Sequence, residues 1–158
     1  MTDFTHLDQD GNITMVDVGD KIATKRSATA TGKVFFPPEV YAAIKAVDGQ
    51  TKKGNILTIA HIAGIMAGKK THELIPLCHA LPLDTIKMSF AFQDDVHAIT
   101  VTAIAKVVHK TGVEMEALTA VSVACLTIYD MSKALSHEIV IGDICLVNKT
   151  GGKSDYAK

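Results

Sequence analysis

Two acids and an Asp/Lys pair bracket a stretch of this chain that carries no charge. Glu114 and Glu116 open it, Asp130 and Lys133 close it, and no residue from Ala117 to Tyr129 is charged. A carboxylate beside an ammonium, each displacing the other's pKa, is suited to moving protons near neutral pH. Asp130 and Lys133 are three residues apart and share a helix face, where a plain surface ion pair contributes about 0.2–0.5 kcal/mol. An aspartate near a helix C-terminus is disfavoured by the macrodipole, by roughly 0.3–1 kcal/mol. Stability therefore gives no reason for Asp130, and chemistry does. At the other end, Thr111 and Glu114 fit a capping box, S/T-x-x-E. That pattern accounts for Glu114 but leaves Glu116, which points to another side, unexplained.

The element between them must be a buried helix. Leu118, Val121, Cys125 and Ile128, with Leu126 and Tyr129, recur at three- and four-residue spacing, and Ala117, Ala120 and Ala124 fill the remaining faces. A helix apolar nearly all round is buried. Glu116 and Asp130 are fourteen positions apart, or roughly 21 Å along one helix. No small substrate touches both in one copy, so either one lies outside the site or the site is shared between subunits. One sheet face cannot bury such a helix completely, and a homo-oligomer is expected.

Basic residues suit an anionic substrate. Arg26, Lys52, Lys53, Lys69, Lys70, Lys110, Lys133 and Lys153 fall mostly at element ends or in loops. Singly they are solvated, but several converging on one cleft suit a polyphosphate, and clustered cations lower a lysine's pKa. Gly152-Lys153-Ser154 is not a phosphate loop: G-x-x-x-x-G-K-[ST] requires glycine where Val147 stands, and a helix after it. A Gly-Gly-Lys segment can still fold over an anion. His79 follows Cys78 between Pro76 and Pro82, but no second His or Cys stands at zinc spacing, so no metal site is expected.

Composition bounds the class. A chain of 158 residues reads as one domain, and 47% hydrophobic with 21% charged residues marks it as globular. A net charge of −1 argues against non-specific attraction to nucleic acid or membranes. Three cysteines without a C-x-x-C pair exclude a disulfide framework and point to a reducing cytosol. Met1-Thr2-Asp3-Phe4 begins no apolar run, so neither a signal peptide nor a membrane span is expected, and the cytoplasm is the anticipated location.

The remaining elements follow in order. Residues 1–14 form a polar arm with a turn at Asp10-Gly11-Asn12, and Met15–Val18 is a short alternating segment. Lys25–Phe36 favours strand and Pro38–Val47 a short helix. A basic turn leads to a helix carrying Ile56, Ile59, Ile62, Ala63 and Met66, stopped by Pro76. Ile86–Phe92 and Ile99–Val107 alternate with period two as a hairpin, and Ile139–Val147 is the last strand. Strand, helix, strand, strand, helix, strand is the split βαβ pattern of a ferredoxin-like α+β fold, an antiparallel sheet with helices on one face. The domain is expected to span 15–150, with 151–158 as a polar tail.

Three segments together resemble one family. Ile75-Pro76-Leu77-Cys78-His79, Lys110-Thr111-Gly112-Val113-Glu114-Met115-Glu116-Ala117-Leu118-Thr119-Ala120 and Ile128-Tyr129-Asp130-Met131-Ser132-Lys133 are similar to the cyclic pyranopterin monophosphate synthase accessory proteins of molybdenum cofactor biosynthesis. Met15–Val18, Lys53-Gly54, Ile62–Ile65 and Gly151–Ser154 extend the match over nearly the whole chain. The resemblance implies a ferredoxin-like fold and a homo-hexamer, a trimer of dimers, with the active site between subunits. It also implies conversion of 3′,8-cyclo-7,8-dihydroguanosine triphosphate to cyclic pyranopterin monophosphate with loss of pyrophosphate, without a redox cofactor. Carried over by motif, Asp130, Lys133 and Lys53 would be catalytic. Leu77, Cys78, His79, Met115, Glu116, Glu114, Arg26 and Lys153 would contact substrate. The chain departs from the family pattern at Asp155, where glycine is common, and at Asn55, where aspartate is common.

The fold pattern alone also allows an RNA-binding domain, which stacks bases on exposed aromatics. Phe90 and Phe92 instead share the apolar face of Ile86 and Met88. A non-catalytic nucleotide sensor is a second alternative, in which Asp130 has little use.

Overall fold

A computed structural model describes residues 6–8 and 10–158. The strands are β1 (Thr24–Phe35), β2 (Gln50–Thr51), β3 (Gly54–Asn55), β4 (Thr85–Gln93), β5 (Ala98–His109), β6 (Val140–Thr150) and β7 (Tyr156–Ala157). The helices are α1 (Pro38–Ala46), α2 (Ile56–Lys69), α3 (Thr71–Leu74) and α4 (Glu114–Ser132). The main sheet runs β4-β5-β1-β6-β7 with every neighbour antiparallel, which is the expected split βαβ order with one strand added at the end. Ala28, Ala30 and Val34 of β1 and Ile99, Val101, Ala103, Ala105 and Val107 of β5 alternate onto the helix-covered face, all buried.

α4 packs on β1, β5 and β6, and α2 on β4, the two helices lying against each other. α2 does not bury the face its bulky residues mark. Its buried positions are Ile56, Ala60, Gly64 and Gly68, while Ile62 and Met66 are more than half exposed. The reason is close approach. A Cβ on Gly64 would lie 2.9 Å from the Ala120 carbonyl oxygen, and one on Gly68 3.1 Å from that of Glu116. Small residues let two backbones meet, and this contact outweighs burial of the larger side chains.

Other boundaries also differ from the sequence reading. α2 ends at Lys69, and α3 intervenes before Pro76. Asn55 caps α2, its Oδ1 accepting from the Leu57 and Thr58 amides at 3.0 Å each. The capping box at Thr111 does not form: α4 begins at Glu114 with Val113 as its cap residue and no side-chain cap bond. β6 runs on to Thr150, and β7 folds back on it. In the arm, Leu7 bridges Ile13 and Asp8 Oδ1 accepts from the Asp10 and Asn12 amides; residues 1–5 and 9 lie outside the described residues. Among the described residues no helix is long and apolar enough to cross a membrane.

Gly64→Ala sets a methyl against a carbonyl of α4 that the helix holds in place. It is expected to lower stability by about 1–3 kcal/mol, read as a lower urea midpoint with unchanged slope. An unchanged midpoint would show that the helices can separate at no cost.

Candidate active site

Two adjoining cavities, of about 490 and 510 Å³, share a wall of Lys21, Thr111, Gly112 and Glu114. The first is enclosed by Val16 and Val18 before β1, the loop carrying Leu77, Cys78 and His79, and Met115 and Glu116 in the first turn of α4. The second is lined by Arg26 of β1, Lys149 of β6, Lys110, and the Gly151-Gly152-Lys153 loop.

The first cavity is apolar, with a few fixed polar groups. His79 Nε2 lies 2.9 Å from the Val16 carbonyl oxygen. A carbonyl only accepts, so this nitrogen carries the proton, and Nδ1 is left as the acceptor in the neutral ring. The bond also fastens the segment before β1 across the cavity. Glu116 is buried, at 4% exposure, because the close α2–α4 crossing draws the start of α4 into the core. Burial lifts its carboxyl to about 7; the charge of Glu114 adds to the rise and its own backbone amide opposes it. Burial and then the charge of Glu116 raise the Cys78 thiol, which keeps it protonated and a poor nucleophile.

The second cavity is cationic: Lys21, Arg26, Lys110, Lys149 and Lys153 face one carboxylate, Glu114. Glu114 is held 3.2 Å from Lys149 and lies over Gly112, where a Cβ would stand 2.0 Å from its Oε2. Only glycine leaves room for that pose. The Arg26 guanidinium donates to the carbonyls of His109 and Lys110, both at 3.4 Å. An apolar pocket holding a buried carboxyl and an imidazole, beside a cavity lined by five cations, fits a ring system attached to a polyphosphate.

Eight of the residues singled out in the sequence thus meet in one place: Leu77, Cys78, His79, Met115, Glu116 and Glu114 around the first cavity, and Arg26 and Lys153 with Glu114 around the second. Asp130, Lys133 and Lys53 do not join them in this chain. Asp130 and Lys133 sit at the far end of α4 with their carboxylate and ammonium 2.6 Å apart, 66% and 51% exposed. Lys53 is near enough for its charge to act on Asp130. The hydrogen bond to Lys133, then its charge, holds the Asp130 carboxyl below its usual range, and the same bond raises Lys133. Within one chain both groups are therefore fixed in their charged forms, and the lowered lysine expected from clustered cations is not produced. Sequence reasoning missed Lys21 and Lys149. Lys149 was hidden because the strand was ended at Val147, and Lys21 because nothing in its spacing marks a side chain that reaches both cavities.

The same segments decide the kinship: a match to the MoaC family spans residues 15–152. The chain belongs to the MoaC family. This is the family the motifs resembled. Among MoaC-family relatives, a protein of Brevibacillus brevis is 50% identical over 98% of this chain and 95% of its own length. One of Clostridium perfringens is 53% identical over 95% and 94%, and one of Parvibaculum lavamentivorans 53% over 96% and 94%. Each is named cyclic pyranopterin monophosphate synthase. All eight residues of the two cavities named above, and Asp130, Lys133 and Lys53 besides, fall between residues 15 and 152 except Lys153, which follows directly.

The raised Glu116 carboxyl links stability to pH. In the unfolded chain it ionises near 4.5 and in the folded chain near 7. Below the lower value both states hold the proton and the group is neutral in effect. As pH rises from there to about 7 the unfolded state gains by ionising first, so folding weakens by roughly 3 kcal/mol and then levels. Glu116→Gln is expected to remove this slope from the unfolding free energy measured between pH 5 and 8, leaving the variant more stable at pH 8. A parallel pH dependence in the variant would place the titration elsewhere.

Proposed function

We propose that this protein is a cyclic pyranopterin monophosphate synthase of molybdenum cofactor biosynthesis. It converts 3′,8-cyclo-7,8-dihydroguanosine triphosphate to cyclic pyranopterin monophosphate and releases pyrophosphate. The observation that carries the reading is half identity, over nearly full length, to relatives that bear this name. The two cavities support it physically, one sized for a bicyclic ring system and the other cationic enough for its phosphates.

Rearranging a purine-derived ring moves protons on and off nitrogen and carbon. Glu116, whose carboxyl titrates at about 7, and the His79 imidazole are the groups in the first cavity that can give and take protons. Forming a cyclic phosphate and expelling pyrophosphate builds negative charge, which Arg26, Lys153 and the lysines around them stabilise. The proposed chemistry calls on proton transfer and electrostatics and assigns no redox cofactor or metal. The three free cysteines suit the reducing cytoplasm, where we place the enzyme.

Asp130, Lys133 and Lys53 enter as the catalytic group of a neighbouring copy. The outward stripe of α4 supports this. Met115, Leu118, Ser122, Leu126 and Tyr129 are partly or largely exposed, at steps of three, four, four and three residues. The sequence of steps reads the same in both directions. A two-fold axis at Ser122 would set Met115 on Tyr129 and Leu118 on Leu126 of a second copy, an isologous contact. The same operation brings Glu114 against Asp130 and Thr111 against Lys133, completing two sites per dimer. Three such dimers would make the hexamer.

Single-turnover rates of Asp130→Asn and Lys133→Ala are expected to fall by roughly 10²- to 10⁴-fold, with normal rates removing both from the chemistry. Mixing Lys133→Ala subunits with Glu116→Gln subunits is expected to restore roughly a quarter of the wild-type sites. No recovery on mixing would confine each site to one chain.

A further inference from the structure

Asp155 stands two residues beyond Lys153, at the base of the loop that lines the cationic cavity. Tyr156 pairs with Lys149 and Ala157 with Asn148, so the polar end of the chain is the return strand of a hairpin. The Lys158 amide extends the ladder by donating to the Val147 carbonyl at 2.9 Å. Between the strands, residues 151–155 form a loop, and Asp155 closes it at its base: its Oδ1 accepts from the Gly151 amide at 3.0 Å. The Thr24 hydroxyl donates to the Gly151 carbonyl at 2.8 Å. Gly151 has φ +86°, and a Cβ there would stand 1.9 Å from the Lys25 carbonyl oxygen, so the loop is seated on β1 at a distance that leaves no room for a side chain. The next residue, Gly152, lies over the Arg26 guanidinium, where a Cβ would be 2.9 Å from Nη1. Lys153 follows as a wall of the same cavity.

We infer that Asp155 is a positioning residue that clips the Gly151–Ser154 loop into a preformed anion-binding turn, holding Lys153 beside Arg26 for the phosphate end of the substrate. The inference rests on the proposed function in taking the cationic cavity as the phosphate side of the site. Its physical basis is ordering. An unclipped glycine pair samples many backbone states, and immobilising it on binding carries an entropic cost. The carboxylate meets that cost in the folded chain before any ligand arrives. It acts through an amide bond at the loop's base, which an amide side chain can also make, so its charge is dispensable.

The test uses inorganic pyrophosphate, the proposed product, titrated calorimetrically into the full-length protein. Asp155→Ala is expected to raise its Kd by roughly 3- to 10-fold, and to raise KM for the cyclised triphosphate with little change in kcat. Asp155→Asn keeps an acceptor oxygen and is expected to bind within about two-fold of wild type. In the Lys153→Ala background, Asp155→Ala is expected to add little, because the side chain it positions is gone. Wild-type affinity in Asp155→Ala, an equal loss in Asp155→Asn, or full additivity with Lys153→Ala would each overturn the inference. Should the wild-type protein bind pyrophosphate in this Asp155-dependent way yet fail to turn over the cyclised triphosphate, the functional reading falls and the loop assignment stands.

Discussion

The crossing of α2 over α4 at backbone distance is the constraint on which the site depends. Gly64 and Gly68 allow it, and the carbonyls of Ala120 and Glu116 occupy the space where side chains would stand. Because the two helices meet so closely at that end, the first turn of α4 is drawn inward and Glu116 is buried, facing only the first cavity. Burial is the first cause of its raised pKa, and the neighbouring Glu114 charge adds to the rise. The opposite end of the same helix projects beyond the layer, and there Asp130 and Lys133 are solvated and hold each other charged. One helix offers two electrostatic environments, a dry one and a wet one, about its own length apart.

That separation keeps the Asp130–Lys133 pair away from the two cavities of its own chain. The fourteen-residue interval between Glu116 and Asp130 had already set that distance, since helix rise converts the count into length. The cations divide the same way. Arg26, Lys110, Lys149 and Lys153 converge with Lys21 on one cavity, and Lys53 stands by Asp130. Five like charges in one cleft repel one another, and Glu114 offsets part of this through its contact with Lys149. An incoming polyphosphate offsets the rest.

The sheet and its hairpin were legible in the sequence because period-two alternation survives in β4 and β5, where one face is buried and the other is not. The buried helix α4 was legible for the same kind of reason. Its partner was misjudged: the bulky stripe of Ile59, Ile62 and Met66 looked like a core face, and periodicity cannot reveal that glycines at 64 and 68 would win the contact. The cap was misjudged too, since Glu114 answers to Lys149, a residue distant in sequence, and leaves the local pattern with Thr111 unused. Motif positions clustered around the cavities because their residue types fit a definite chemistry. Lys21 and Lys149 carried no such mark, and only tertiary placement brings them to the site.

The segment before β1 is a wall of a different kind from the others. The loop carrying Leu77 to His79 and the first turn of α4 form other sides of the first cavity, while this side is fastened by the His79 bond to the Val16 carbonyl and the Lys110 ammonium on the Gly19 carbonyl. Two side-chain bonds break far more readily than a strand detaches from its ladder. The segment before β1 is therefore the wall expected to detach most readily. Amide protons of residues 16–19 should trade with deuterium well ahead of those in the middle of β1.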